Sequence, residues 1–371
     1  MMGEMALRYP QRSLIVSTGS YEGSAASDAR FPQLIDRIGV RATRLRTVQG
    51  LALWTWRAGA LATTWRPGFT WCAELKPAGY PARWLAARRR LPYGLIVYGT
   101  ELLLIEAKIR RSRFKQLTAK SLLGNAAVIV AISAWTAELA QRVLALLDLQ
   151  IPVHTVPLGT TPSHFRPGID ARAVRAKYGL NGGPWLLTVA RLEWHKGIDA
   201  VIRALPAIRA AHPDTRYAIA GVGDRRDDLE RIAQSLDLGD AVRFLGAVSD
   251  DDLPALYNAA DLYVGASRRH DLLAEGFGIS LVEASACGLA VVGGRSGGVP
   301  DAVREGETGV LVDPDDPGAV AAGITDLLSN PDRRKQFGAA GRKAVESYYN
   351  WDRVVKELRE IDRRYRLGIT G

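Results

Sequence analysis

The chain has 371 residues, 47% of them apolar and 24% charged, with a formal net charge of +10. That length asks for two domains, the balance is that of a globular protein, and two cysteines leave no room for a disulfide framework. There is no segment ordered like a signal peptide and no run of 18 apolar residues, so neither secretion nor membrane spanning is expected, and the cytoplasm is the expected compartment.

In chain order, SLIVST (13–18) reads as the first strand. A loop with Gly19 and Gly23 follows, then a helix near Ala29–Ile38. LPYGLIVYGTEL (91–102) reads as a strand ending in a loop at Tyr98–Glu101. AAVIVAIS (126–133) is a buried strand, with a helix over Trp135–Leu147 after it. HTVPLGTTPSHFRPG (154–168) has no period and is rich in Pro, Gly and Thr, which marks a linker. A second alternating series runs from Trp185 to about Leu328, and a last helix spans Trp351 to Arg366. Strands alternating with helices imply parallel sheets covered on both faces. Ligands bind such sheets outside the carboxyl ends of the strands, in a cleft where two of them face each other.

The charge is uneven. Residues 1–150 hold 21 Lys and Arg against 9 Asp and Glu, a surplus of +12, while the remainder holds 28 against 30. Trp54, Trp56, Trp65, Trp71 and Trp84 crowd one part of the basic half, beside Arg88, Arg89, Arg90 and the cluster KIRRSRFK (108–115). Basic residues beside tryptophan favour an anionic membrane surface. Core tryptophans under a solvated basic face fit the composition equally. No nucleic-acid motif accompanies the charge, so nucleic acid is not an expected partner.

The densest chemistry lies in EGFGISLVEASACG (275–288). Ile279, Leu281, Val282 and Ala286 form an apolar stripe at helical spacing, so a helix starts near Ile279. Glu275 falls in the glycine-rich loop before it and Glu283 one turn inside. Free N–H groups at a helix start suit phosphate, and carboxylates beside them suit hydroxyls. Phosphate together with many hydroxyls describes a nucleotide sugar. Upstream, LLTVARLEWHKGIDAVIRAL (186–205) reads as a strand, a loop carrying Arg191 and Lys196, then an amphipathic helix. A guanidinium can grip phosphate oxygens in a fork, and an ammonium adds a point charge. AGVGD (220–224) lacks the third glycine of a dinucleotide fingerprint and does not argue for NAD.

With VRFLGAVSDDDLPALYNAADLYV (242–264), GGVPDAV and GETGVLV, these motifs resemble the retaining glycosyltransferases of family four, glycosyl transferases group 1, strongly over roughly 185–330. The resemblance implies the GT-B fold: two Rossmann-like, doubly wound parallel-sheet domains facing a central cleft. The expected division is an acceptor domain at 1–160, a donor domain at 161–345, and a helical end at 346–371 crossing back to the first domain. The implied activity moves a hexose from GDP-mannose or a UDP-glucose-type donor to an acceptor hydroxyl on a lipid, glycan or small molecule. No cofactor and no metal are expected, because two cations and a helix end can offset the charge of the diphosphate. The implied catalytic set is Arg191, Lys196 and Glu275, with Glu275 on hydroxyls of the transferred sugar. Glu283 would serve the ribose, backbone N–H groups of Phe277, Gly278 and Ile279 the sugar and phosphate, and Gly223 and Leu245 the nucleotide. Gly19 and Tyr98 complete the donor-binding set. Relatives often carry paired glycines at the first and His at the second. Two rival readings are a sugar-nucleotide epimerase on the same fold and a non-catalytic basic protein associated with membrane or nucleic acid.

Overall fold

The computed structural model describes residues 1–366. It divides into two compact units, Met1–Val156 with the chain from Trp351 onward, and Pro157–Asn350.

The first unit holds β1 (Ile15–Ser20), β2 (Leu34–Arg41), β3 (Thr70–Cys72), β4 (Tyr93–Val97), β5 (Val128–Ala131) and β6 (Val153–Thr155). β1 and β2 form a parallel pair, and β3 to β6 form a parallel four-stranded sheet in sequence order. Tyr-Gly-Leu-Ile-Val and Val-Ile-Val-Ala are buried at every position, as strands covered on both faces must be. The helix Trp351–Arg366 is tied into this unit by Tyr365, whose hydroxyl lies 3.0 Å from His154 Nε2, and by Asp362, which accepts from Tyr9 at 2.8 Å.

One element differs from the sequence reading. The expected helix at Ala29–Ile38 is instead a short helix, Ser24–Asp28, followed by β2. Pro32 interrupts the helical run. Asp36 and Ile38 both point inward on β2 and are buried, and Asp36 is held there by the Arg57 guanidinium at 2.8 Å. A polar, acidic residue on the buried face hides the two-residue period from a hydrophobicity reading.

The second unit holds β7 (Trp185–Val189), β8 (Arg216–Ala220), β9 (Val242–Gly246), β10 (Leu262–Gly265), β11 (Val291–Gly294) and β12 (Gly309–Val312). They form one parallel sheet in the order β12-β11-β10-β7-β8-β9. From β7 the chain winds outward through β8 and β9, then returns to the other side of β7 as β10. The strand order therefore reverses between β7 and β10, and the loops after these strands are where such a sheet binds ligands. The helix Ile198–Ala211 and the helix Pro317–Ser329 cover one face of this sheet with Ile202, Leu205, Ile324 and Leu327. At about 25 cal/mol per Å² of apolar surface removed from water, this packing is what fixes the loops above it.

Candidate active site

Three loops at the carboxyl ends of the second sheet meet. After β7 come Arg191 and a single 3-10 turn, Trp194–Lys196. Gly197 then starts the helix Ile198–Ala211 at φ +66°, and a Cβ there would stand 1.8 Å from the Ala266 carbonyl oxygen, in the loop after β10. No other residue allows that approach. Across this contact the Arg268 guanidinium holds the buried Asp199 carboxylate at 2.8 Å to each oxygen, and the Arg268 N–H donates to His195 O at 2.9 Å. The β7 and β10 loops are thus fastened by backbone packing and a bidentate ion pair.

The fastening brings Lys196 to Glu275, 79 positions apart in sequence, with Nζ 2.6 Å from Oε2. The two side chains are 16% and 20% exposed, so the pair is largely withdrawn from water but reachable. Burial alone would push the Glu275 carboxyl up. The Lys196 ammonium, its hydrogen bond, His195 and the Phe277 N–H outweigh that, and the net shift is downward. Glu275 is therefore a carboxylate at neutral pH. Its backbone is fixed as well, since its carbonyl accepts from Gly298 N–H at 2.8 Å. Arg191 is exposed and pairs with Glu193. Glu193 also lies 3.1 Å from Nδ1 of the buried His195, whose pKa is lowered first by burial and then by Lys196.

Gly278, at φ +100°, precedes the helix Ile279–Ala286; its carbonyl takes the Leu281 N–H at 3.0 Å, and the N–H groups of Ile279 and Ser280 come before any helical acceptor. Phe277 is buried beneath it. Inside the helix, Glu283 accepts a 2.8 Å hydrogen bond from the Tyr257 hydroxyl. Burial raises the Glu283 carboxyl to about 7; the Tyr257 hydrogen bond opposes this and Asp250 adds to it. Two carboxylates on one short segment thus differ in state. Glu275 is ionised by its lysine, and Glu283 is poised near neutrality by its apolar surroundings.

The structure gives Gly223 a packing role. A Cβ there would come within 2.5 Å of Leu192 O and 2.6 Å of Leu192 N, so the loop after β8 lies directly on the Arg191 loop and braces it. Leu245 is half-buried at the carboxyl end of β9. Gly19 and Tyr98 belong to the first unit. Burial raises the Tyr98 phenol to about 12, with Glu101 and Glu74 adding to the shift, so it is a hydrogen-bond donor at neutral pH. Glu101, in the first turn of the helix Thr100–Ile109, accepts from the Tyr98 backbone N–H and so holds the preceding loop against the helix start. Among the described residues no group of three or more His, Cys, Asp or Glu side chains is placed to hold a metal ion.

The sequence reading did not single out Tyr257, Asp199, Arg268 or His195. Tyr257 stands in an apolar run that reads as core. Asp199 and Arg268 are 69 positions apart, and nothing local to either marks the other.

Residues 170–344 match the family described as Glycosyl transferases group 1. This stretch is a group 1 glycosyltransferase domain. The match covers all the second-unit residues discussed above, from Arg191 to Glu283. The chain is 37% identical over 248 residues to a GDP-mannose-dependent alpha-(1-6)-phosphatidylinositol monomannoside mannosyltransferase of Mycolicibacterium smegmatis, covering 66% of this chain and 64% of that protein. It is 34% identical over 199 residues to a glycogen synthase of Mycobacterium tuberculosis, covering 53% and 47%. The chain spans less than two thirds of the length of the curated relatives it matches. Among solved structures, Anabaena HepE in complex with UDP and glucose superposes with a TM-score of 0.76 at 19% identity, over 97% of this chain and 94% of that one. Sucrose-phosphate synthase of Thermosynechococcus elongatus gives 0.73 at 23%, over 90% and 84%. The fold is that of GT-B glycosyltransferases, with two Rossmann-like units; the group 1 domain is the second of them.

Proposed function

We propose that the protein is a retaining hexosyltransferase that uses GDP-mannose and a lipid-linked acceptor hydroxyl. The observation that carries the reading is the Lys196–Glu275 pair, set beside the N-terminus of the helix Ile279–Ala286 in a group 1 domain. In this reading Lys196 and Arg191 hold the diphosphate, and Lys196 also orients Glu275 toward hydroxyls of the transferred sugar. The helix N–H groups meet the phosphate, and Glu283 takes hydrogen bonds from the ribose. The acceptor oxygen attacks the anomeric carbon from the face that the diphosphate leaves. The sugar–phosphate bond breaks as the new glycosidic bond forms, the electron pair departs on the phosphate oxygen, and that oxygen takes the acceptor's proton. Anomeric configuration is retained. Charge building on the leaving phosphate is what the two cations stabilise more in the transition state than in the ground state. The assignment of Gly19 and Tyr98 to the donor rests on the family resemblance. The choice of GDP-mannose and of a lipid acceptor follows the mycolicibacterial relative's stated activity.

The first unit supports a membrane-proximal acceptor. Trp56, Phe114 and Leu117 are each 68% exposed, and Phe114 and Leu117 stand one turn apart on the helix Arg113–Leu123 among Arg110, Arg111, Arg113 and Lys115. Large apolar side chains standing out of a cationic surface suit the headgroup boundary of an anionic bilayer. Among the described residues no helix is long and apolar enough to cross a membrane.

The test is product analysis with GDP-mannose and UDP-glucose, each with and without phosphatidylinositol mannosides in mixed micelles. An α-mannosylated lipid formed only with donor and acceptor together is the expected result. A new epimer of the donor formed without acceptor would replace this reading with the epimerase, and no turnover of any donor would remove it.

A further inference from the structure

The first unit is open between β1 and β3. Among the described residues β1 pairs only with β2, and β3 only with β4, so each leaves one ladder edge without a strand partner. Backbone N–H and C=O groups on such edges need another partner. The opening belongs to a cavity of about 1120 Å³. That is at the upper end of small-molecule sites, which run roughly 300–1,000 Å³.

Most of its wall is apolar, including Val16, Leu61, Trp65, Phe69, Trp71 and Leu85. One side is not. Lys356, Arg359, Arg363 and Arg366 all line the cavity from the helix Trp351–Arg366, and their spacing of three, four and three puts them on one helical face. Arg12 and Arg46 bring the basic lining to six, against the acidic Glu74, Glu360 and Asp362. Two of those acids are already engaged. Glu74 lies 3.6 Å from Arg46, and Asp362 accepts from Tyr9 at 2.8 Å and lies 3.6 Å from Arg366. Arg359 sits over the Tyr9 ring at 5.8 Å, and Lys356 and Arg363 have no carboxylate within ion-pair distance among the described residues.

An inorganic anion would have no use for the aromatic wall, and a neutral hydrocarbon would have none for four cations on one helix face. We propose that this cavity binds a single-chain anionic amphiphile, with its alkyl chain between Trp65, Phe69 and Leu85 and its head on the basic face of the helix. Charge complementarity fixes the orientation, and the apolar wall supplies most of the affinity. The proposal concerns first-unit residues only and does not rest on the transferase reading.

The test uses the full chain and cis-parinarate as a fluorescent probe, kept below its micelle concentration. Saturable binding at one site is expected. Oleate and oleoyl lysophosphatidate should displace the probe, and their relative strength tells a carboxylate-preferring head site from a phosphate-preferring one. Equal displacement by oleyl alcohol, or displacement by inorganic phosphate, would overturn the proposal. Ala58→Trp and Ala62→Trp place bulk in the cavity and should weaken binding more than tenfold. Because those changes can disturb packing, Lys356→Glu with Arg363→Glu, both at exposed side chains, provides a second arm, with oleate binding expected to weaken about tenfold. Unchanged oleate affinity in that charge-reversed protein would sink the idea. So would a comparable loss on changing Arg88, Arg89 and Arg90 to Ser, since the probe would then be reporting the outer surface.

Discussion

Replacing Lys196 with Met should separate two consequences of one contact. The side chain keeps its unbranched shape, one heavy atom shorter, and loses its charge, leaving Glu275 with its carboxylate largely withdrawn from water and no cation at 2.6 Å. Breaking a fully buried pair costs roughly 3–5 kcal/mol, and breaking an exposed one under about 1. With both side chains about four-fifths buried, a cost of about 2 kcal/mol is expected at pH 7, which lowers the unfolding temperature by roughly 4–8 °C in a unit of this size. The pH dependence has a definite sign. Glu275 has a folded-state pKa below its ordinary 4.5, so its stabilisation is present above pH 4.5 and fades as pH falls through the folded value. The difference between parent and Lys196→Met should therefore shrink in acid. Glu275→Gln alone strands the ammonium, and the double variant strands neither, so the double should recover at least half of the lost stability. Activity should not recover. In the proposed reading, loss of the cation that meets the diphosphate should cost roughly 3 kcal/mol, about a hundredfold in rate, and the double variant keeps that defect. Thermal unfolding from pH 3 to 8 and kcat/KM on the same preparations decide it. If the double variant is destabilised by the sum of the singles, the pair carries no coupling and the site is not built on it.

If Glu283 serves the ribose as proposed, its ionised form is the better acceptor, so nucleoside diphosphate affinity should rise as pH increases through about 7, and Glu283→Gln should bind more weakly with a flat profile by calorimetry. Since the Glu283 pKa is raised on folding, its share of stability is present below pH 4.5 and is lost toward 7; the Gln variant should be more stable than the parent at pH 8 by up to about 3 kcal/mol. In the proposed reading the two cations and the helix end offset the diphosphate charge, so transfer should survive EDTA; loss of activity with rescue by manganese or magnesium would contradict this. Changing the exposed Arg88, Arg89 and Arg90 to Ser should reduce sedimentation with anionic vesicles at low salt and leave GDP binding untouched.

The alternation of strand and helix was legible because buried parallel strands spell themselves as short apolar runs, such as LIV before Tyr98 and VIVA before the helix Ala134–Leu146. It failed at β2 because Leu34, Ile35 and Ile38 fall at helical offsets while the inward face carries Asp36. Sequence patterning assumes that inward means apolar, and here a guanidinium from another element makes inward ionic. The site divides along the same line. The glycine loop and helix start at 276–279 are local features, and local features can be read from spacing. The pairing of Lys196 with Glu275 and of Tyr257 with Glu283 cannot, because each depends on which loops the sheet order brings together.

That dependence also explains why the two glutamates should differ in chemistry though eight residues apart. Their segment places one in the loop before a helix start and the other one turn inside it, and neither position by itself fixes a protonation state. The difference comes from β7 and β10 being neighbours in the sheet, which delivers a lysine to the first, and from the helix Leu253–Ala259, which delivers only a neutral hydroxyl to the second. A charged partner holds a carboxylate ionised across the working pH range, and a phenol in an apolar setting leaves it near neutrality. If Tyr257→Phe removes the one hydrogen bond opposing burial, the Glu283 carboxyl should rise further, and the pH at which nucleoside diphosphate binding reaches half its maximum should move up with it. A midpoint that stays where it was in the parent would mean that the pH dependence of binding belongs to another group, and the assignment of Glu283 to the ribose would lose its support.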